Sequence, residues 1–188
     1  MLIRASRDSR LHAYVVLSVM TGLRTEELRA LRWSEIDLDA GAVAVYRSVR
    51  VTGDTKTRKS RRVLGLPKLA VQALREHHKL QAADRLKAGA LWQDHGLVFS
   101  SPIGTPLDRY NVLREFRKIT AAAGLGTDWV PRELRHTFVS LLSSDGVPLE
   151  DIADLVGHKG TNTTEIVYRK VIVPELRRGA EVMDRLFS

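Results

Sequence analysis

The spacing of apolar residues changes period twice along the chain, and this restricts the fold more than any other feature. From Leu11 to Leu31 apolar residues recur at helical spacing, at Val43 and Val45 the period drops to two, and from Leu69 onward helical spacing returns. A period of 3.6 puts apolar side chains on one face of a helix, and a period of two puts them on one face of a strand. The chain therefore reads as mainly α with a small antiparallel β-sheet in its first third, an α+β arrangement.

The elements can be placed more closely. Leu11, Val15, Leu17 and Met20 mark a helix that Thr21-Gly22 breaks, and a second helix opens with Thr25 as N-cap and Leu28, Leu31 and Trp33 as its stripe. Arg24 thus stands at a helix entrance. Asp37 to Gly41 reads as a turn. Val43, Val45 and Arg47 to Val51 form a strand, Gly53-Asp54 turns the chain, and Arg62 to Leu66 makes a second strand closed by Pro67. A helix follows from Leu69 to Ala88, and Leu97 to Phe99 is a short extended piece. Asp108 caps a helix with Leu113, Phe116 and Ile119 on one side and Arg114, Arg117 and Lys118 on another, ending near Gly124. Pro131 occupies the first position of the next helix, whose inward stripe is Leu134, Phe138, Leu141 and Leu142, and Gly146-Val147-Pro148 ends it. Leu149, Ile152 and Leu155 form a short helix stopped at Gly157. Asn162 with Glu165 starts the helix that carries Tyr168, and Met183, Leu186 and Phe187 form a terminal stripe that needs burial.

The length of 188 residues suits one domain, and 44% hydrophobic residues suffice for a core. Thirty Lys and Arg against 22 Asp and Glu leave a formal charge of +8, which favours a polyanionic partner. The absence of Cys excludes disulfides, thiol catalysis and cysteine zinc sites, and it fits a reducing cytoplasm. The six His form no HExxH pair. Basic Met1 to Arg10 followed by apolar Leu11 to Leu23 has the outline of a secretory signal, but His12 interrupts it, no A-x-A site follows, and Arg24, Glu26 and Glu27 run directly into another helix. A membrane-spanning helix needs roughly 20 apolar residues, so no membrane partner is expected.

Several chemically capable residues stand where packing does not ask for them: Arg24, Lys56, Arg132 and Arg135, His158, and Tyr168. Each has a plain reading when taken alone. Arg24 is then soluble surface, and Lys56 among Arg58, Lys59, Arg61 and Arg62 is a solvated turn. Arg132 and Arg135 are the outer face of an amphipathic helix, and His136 is a hydrogen-bonded core histidine. His158 is a cation favouring a helix C-terminus, and Tyr168 is a core tyrosine with a wet hydroxyl. Taken together and in order, Thr21-Gly22-Leu23-Arg24, Thr55-Lys56-Thr57, Glu133-Leu134-Arg135-His136-Thr137, Leu155-Val156-Gly157-His158 and Val167-Tyr168-Arg169 resemble the motif series of the tyrosine recombinases of the phage-integrase family. Glu27 resembles the acidic residue that the family places three positions after its first arginine.

The resemblance implies the tyrosine-recombinase catalytic domain fold over residues 1–188, without the amino-terminal DNA-clamping core-binding domain that usually precedes it. It implies site-specific recombination of double-stranded DNA, integration or excision, by protomers assembled as a tetrameric synapse and with no metal or cofactor. Tyr168 would be the nucleophile, forming a 3′-phosphotyrosyl link that a 5′ hydroxyl later reseals. Arg24 and Arg135 would hold the non-bridging oxygens, Lys56 would protonate the departing 5′ oxygen, and His158 would hydrogen-bond the phosphate. Arg58, Lys59, Arg61 and Arg62, with Arg114, Arg117 and Lys118, would meet DNA. One position departs from the family pattern: Arg132 stands where histidine is common, and a guanidinium cannot accept the tyrosine's proton. His136 or water is left to take it. Three rival readings stay open: a type IB topoisomerase-like activity, a non-enzymatic DNA-binding module that is a decayed integrase, and a basic RNA-binding protein.

Overall fold

The computed structural model describes residues 1–46, 62–157 and 179–187, with the side chains of the last segment described from Val182 to Phe187. A short helix α1 (Leu2–Ala5) leads to α2 (His12–Thr21), which is buried from Ala13 through Thr21. A helix apolar on every side is stable only at the centre of a fold, and α2 packs against α6 (Glu133–Ser144) on one side and α4 (Lys68–Ala88) on another. Its Tyr14 meets Phe99 edge to face, with ring centroids 5.3 Å apart.

Gly22 ends α2 in the left-handed region at φ 61°. A Cβ there would lie 2.4 Å from Cδ1 of Phe138 on α6, so the glycine serves both the turn and the close approach of the two helices. The chain then enters α3 (Thr25–Ala30). Arg24, not Thr25, is the N-cap, and the Glu27 carboxylate reaches back to accept the Arg24 backbone N–H at 2.8 Å.

Among the described residues the expected sheet has three strands, β1 (Ile36–Asp37), β2 (Ala42–Val45) and β3 (Arg62–Gly65), all antiparallel in that order. The Asp37 carboxylate accepts the N–H groups of Asp39 and Ala40 and so shapes the first turn. Val43 faces Leu64 and Val45 faces Arg62 across the β2–β3 ladder. Val43, Val45 and Leu64 are buried and Val63 is exposed, the alternation that a one-sided sheet requires. The expected strand residues Arg47 to Val51, the turn at Gly53-Asp54 and the helix start at Asn162 lie outside the described residues.

Helix α4 buries Ala70, Ala73, Leu74, His77 and Gln81 along one stripe. The Gln81 amide donates to the carbonyls of Leu97 and Val98 and to Ser100, and its oxygen accepts Trp33 Nε1 at 2.6 Å, which pins the extended piece after α4 to the core. Asp108 caps α5 (Arg109–Ala122) through the N–H groups of Tyr110 and Asn111, as expected. Pro131 falls two positions short of its expected place. Pro131 and Arg132 form a tight turn, with Leu134 and Arg135 bonding three residues back, and α6 proper starts at Glu133.

Helix α7 (Leu149–Val156) ends at Gly157, again left-handed at φ 66°. Helix α8 (Gly179–Phe187) packs against α2, α4 and α6. Its stripe divides: Val182 and Met183 join the core, whereas Leu186 and Phe187, expected to be buried with Met183, are exposed. The Asp184 carboxylate accepts the Lys68 N–H at 2.7 Å and so caps the first turn of α4. Among the described residues no helix is long and apolar enough to cross a membrane.

Candidate active site

The last carbonyls of a helix have no partner within it. At the end of α7 three consecutive carbonyls are each taken by a different arginine. Arg62 Nε donates to Leu155 O at 2.7 Å, Arg135 Nη2 to Val156 O at 2.6 Å, and Arg24 Nη2 to Gly157 O at 3.1 Å. The guanidinium charges also suit the negative end of the helix dipole. The next residue in sequence is His158, so the three arginines fix the point from which the chain departs toward it.

Each arginine comes from a different element. Arg24 caps α3, Arg62 opens β3, and Arg135 lies on the inward side of α6. Arg135 also donates from Nη1 to Gly22 O at 2.7 Å, so one guanidinium ties the end of α2 to the end of α7. It is buried, contrary to its reading as the outer face of an amphipathic helix. The geometry explains the discrepancy: its planar fork spans two buried carbonyls at the ends of two helices.

Glu27 completes the cluster. Its carboxylate is 3% exposed and accepts Arg24 Nη1 at 2.8 Å, Arg62 Nη2 at 3.0 Å and Arg62 Nη1 at 3.3 Å, besides the Arg24 backbone N–H. Burial alone would push its carboxyl up, but the Arg62 charge and hydrogen bonds, followed by those of Arg24, more than offset this and hold it below the usual carboxylate range. Glu27 is therefore ionised at neutral pH, and it orients two cations at once.

Exposure separates the roles. The side chains of Arg62 and Glu27 are 8% and 3% exposed, whereas that of Arg24 is 30% exposed and presents a charged flank to solvent. Arg62 was expected among the DNA contacts, and here its position corrects that reading. Its guanidinium is committed to Glu27 and Leu155, because Arg62 shares the core-facing side of β3 with Leu64. Strand parity was the available signal.

Arg132 is exposed at the entrance of α6 and lines a groove with Tyr14, Thr25, Arg29, Tyr110 and Pro131. His136, one residue beyond Arg135, is exposed too, and the core-histidine reading is corrected: the buried side of that helical turn is held by Arg135. Arg114, Arg117 and Lys118 are all exposed on α5, where Glu115 pairs with Lys118 at 2.8 Å and lies 3.7 Å from Arg114. Arg114 and Lys118 line a different groove from Arg132, one they share with Arg10. Lys56, Arg58, Lys59, Arg61, His158 and Tyr168 lie outside the described residues. Among the described residues no three His, Asp or Glu side chains are grouped to share a metal ion.

The arrangement can hold an anion against the exposed flank of Arg24, with buried carboxylate and backbone groups keeping that arginine from moving. Residues 2–173 match the model of the phage integrase family. An integrase of Streptomyces ambofaciens is 52% identical over 198 residues, covering 100% of this chain and 51% of that protein. A XerC-like tyrosine recombinase of Caldanaerobacter subterraneus is 30% identical, covering 97% of this chain and 51% of that protein. The chain thus spans about half the length of the curated relatives it matches. The crystal structure of XerA recombinase superposes with a TM-score of 0.73 at 27% identity, covering 99% of this chain and 59% of that one. The Tn1549 transposon integrase, solved in complex with circular intermediate DNA, shares the fold with a TM-score of 0.71 at 20% identity, covering 98% of this chain and 63% of that one. On the family match and the 52% identity, this mainly helical chain with its small antiparallel sheet belongs to the phage integrase family.

Proposed function

We propose that the chain cuts and rejoins double-stranded DNA in site-specific recombination through a covalent bond to Tyr168. The observation that carries this reading is the grip of Arg24, Arg62 and Arg135 on three successive carbonyls immediately before His158. Phosphodiester transfer passes through a phosphorane whose added charge must meet donors already in place. Arg24 supplies the exposed guanidinium, and Arg135, buried between α2 and α7, keeps the surrounding backbone in register.

In the proposed step the Tyr168 oxygen attacks phosphorus, the bond from phosphorus to the 5′ oxygen breaks, and Lys56 gives that oxygen a proton. The product is a 3′-phosphotyrosyl ester with a free 5′ hydroxyl. Attack by a 5′ hydroxyl of a second strand reverses the step, so the phosphoester energy is conserved and no ATP is consumed. Arg132 remains protonated and stabilises phenolate or phosphate, and the phenol proton goes to water or to the exposed His136. Exchange between two duplexes requires several protomers, and we take the assembly as a tetrameric synapse on cytoplasmic DNA.

The test is single-turnover cleavage of a nicked duplex carrying the junction of the DNA element that encodes the protein, with Arg24→Ala beside the unaltered protein. Loss of a developing-charge donor should slow cleavage by about 10² to 10³. An Arg24→Ala variant that cleaves at the unaltered rate would sink the reading, and duplex binding without any cleavage by the unaltered protein would favour a DNA-binding module.

A further inference from the structure

We infer that Arg62 is a positioning residue for strand cleavage, acting through Glu27 and the end of α7 on Arg24 and on the chain that leads to His158. The inference rests on the recombinase reading above and extends it to a residue expected at the DNA surface.

Arg24 and Arg62 grip the same two objects. Each binds the Glu27 carboxylate, and each takes one carbonyl at the end of α7, Gly157 O for Arg24 and Leu155 O for Arg62. Only Arg24 is left with an open flank: its side chain is 30% exposed, against 8% for Arg62. The buried arginine therefore serves as the fixed side of a clamp, and the exposed one works. Arg62 also lies flush on the turn before His158, since a Cβ at Gly157 would stand 3.0 Å from its Nη1.

Stability alone gives no reason for an ion pair here. Arg62 occupies a core-facing strand position beside Leu64, where an apolar side chain of similar volume would avoid the desolvation of two charges. What an apolar residue could not do is hold Glu27 in two-pronged fashion and satisfy Leu155 O together. Arg62 is also the first residue of β3, directly after residues 47–61, which carry Lys56. One side chain thus ties the return of that segment to the arginine that faces solvent.

The experiment is single-turnover cleavage of the same nicked duplex by the full-length protein at saturating concentration, for Arg62→Ala, Arg62→Gln, Arg62→Lys, Arg24→Ala and the Arg24→Ala/Arg62→Ala pair. Each is run on a normal scissile phosphate and on a methylphosphonate, which lacks one charged non-bridging oxygen. Arg62→Ala and Arg62→Gln should cleave about 10²-fold more slowly while binding duplex within about threefold of the unaltered protein. Arg62→Lys, with one point donor for two partners, should recover only part of the rate. In the Arg24→Ala background the penalty of losing Arg62 should shrink below about tenfold, because coupled residues are not additive. On methylphosphonate the Arg62→Ala penalty should shrink as the Arg24→Ala penalty does, whereas a merely structural defect slows both substrates alike.

Equal slowing on both substrates overturns the inference, as does cleavage by Arg62→Gln at the unaltered rate. Weakened duplex binding with unchanged cleavage at saturation overturns it too, and returns Arg62 to the phosphate contacts. If the unaltered protein forms no covalent product, the recombinase reading itself falls; if it does and the Arg62 variants match it, only the inference falls.

Discussion

Arg135 holds the Val156 carbonyl at 2.6 Å while its other terminal nitrogen holds Gly22, so helices that are far apart in sequence end on one side chain. Removing the guanidinium takes that donor from two carbonyls inside the protein. Arg135→Ala should therefore lower stability by about 2–4 kcal/mol as well as slow cleavage, since each unsatisfied buried group costs about 1–3 kcal/mol. Arg135→Lys, which reaches one carbonyl at a time, should recover less than half of that loss. Urea unfolding monitored by circular dichroism gives the comparison, and an Arg135→Ala variant as stable as the unaltered protein would mean that the bridge contributes nothing.

Gly22 should tolerate no side chain. Gly22→Ala places a Cβ 2.4 Å from Phe138 Cδ1 and leaves alanine at a positive φ. A loss of about 2–4 kcal/mol is expected from overpacking and backbone strain together. Phe138→Leu should restore part of it by relieving the clash while the strain remains, so the double variant should melt above Gly22→Ala alone. Equal melting temperatures for the two would show that the clash is not the cause.

The basic face of α5 is a separate question from the arginine clamp, because Glu115 sits between Arg114 and Lys118 and neutralises part of their charge. If that face meets phosphate, Glu115→Gln should tighten duplex binding at low salt, and Lys118→Ala should flatten the plot of log affinity against log salt by about one unit. Anisotropy titrations across a salt series measure both. Unchanged affinity and slope in both variants would place the DNA elsewhere.

Acid should weaken the protein in two stages. Burial holds His77 below its ordinary 6.5, so as pH falls below 6.5 the unfolded chain takes up the proton first and stability declines until the folded value is reached. His12, also lowered mainly by burial, adds to the same window. The Glu27 carboxyl is depressed, so its contribution is present above the ordinary carboxylate range and is lost as pH falls through its lowered folded value. His77→Gln, whose amide can still donate to Val98 O, should show a shallower decline as pH first falls below 6.5 and the same loss in the carboxylate range. An identical pH–melting curve for the variant would contradict the assignment of the first stage.

Much of the architecture was legible because it depends on local periodicity. The burial of α2, the Val43–Val45 alternation, the Asp108 cap and the stop at Gly157 each follow from residues close in sequence. Arg135 and Glu27 were legible as candidate site residues only through the motif series, since nothing local says that Arg135 must be buried. Arg62 was misread for a related reason: a run of basic residues suggests a solvated turn, and only the register of Val45 against Arg62 turns the last of them inward. The division of the α8 stripe was not legible either, because how much of a terminal helix finds a partner depends on the width of the surface left by α2, α4 and α6.

The measurement that decides whether Tyr168 carries the chemistry is the covalent adduct itself. The unaltered protein and Tyr168→Phe are incubated with the nicked duplex, resolved on a denaturing gel, and the slow band is digested and its DNA-linked peptide sequenced. The expected result is a protein–DNA band in the unaltered protein alone, with the modification on the peptide containing Tyr168. A band of equal intensity in Tyr168→Phe, or one mapped to another residue, would contradict it.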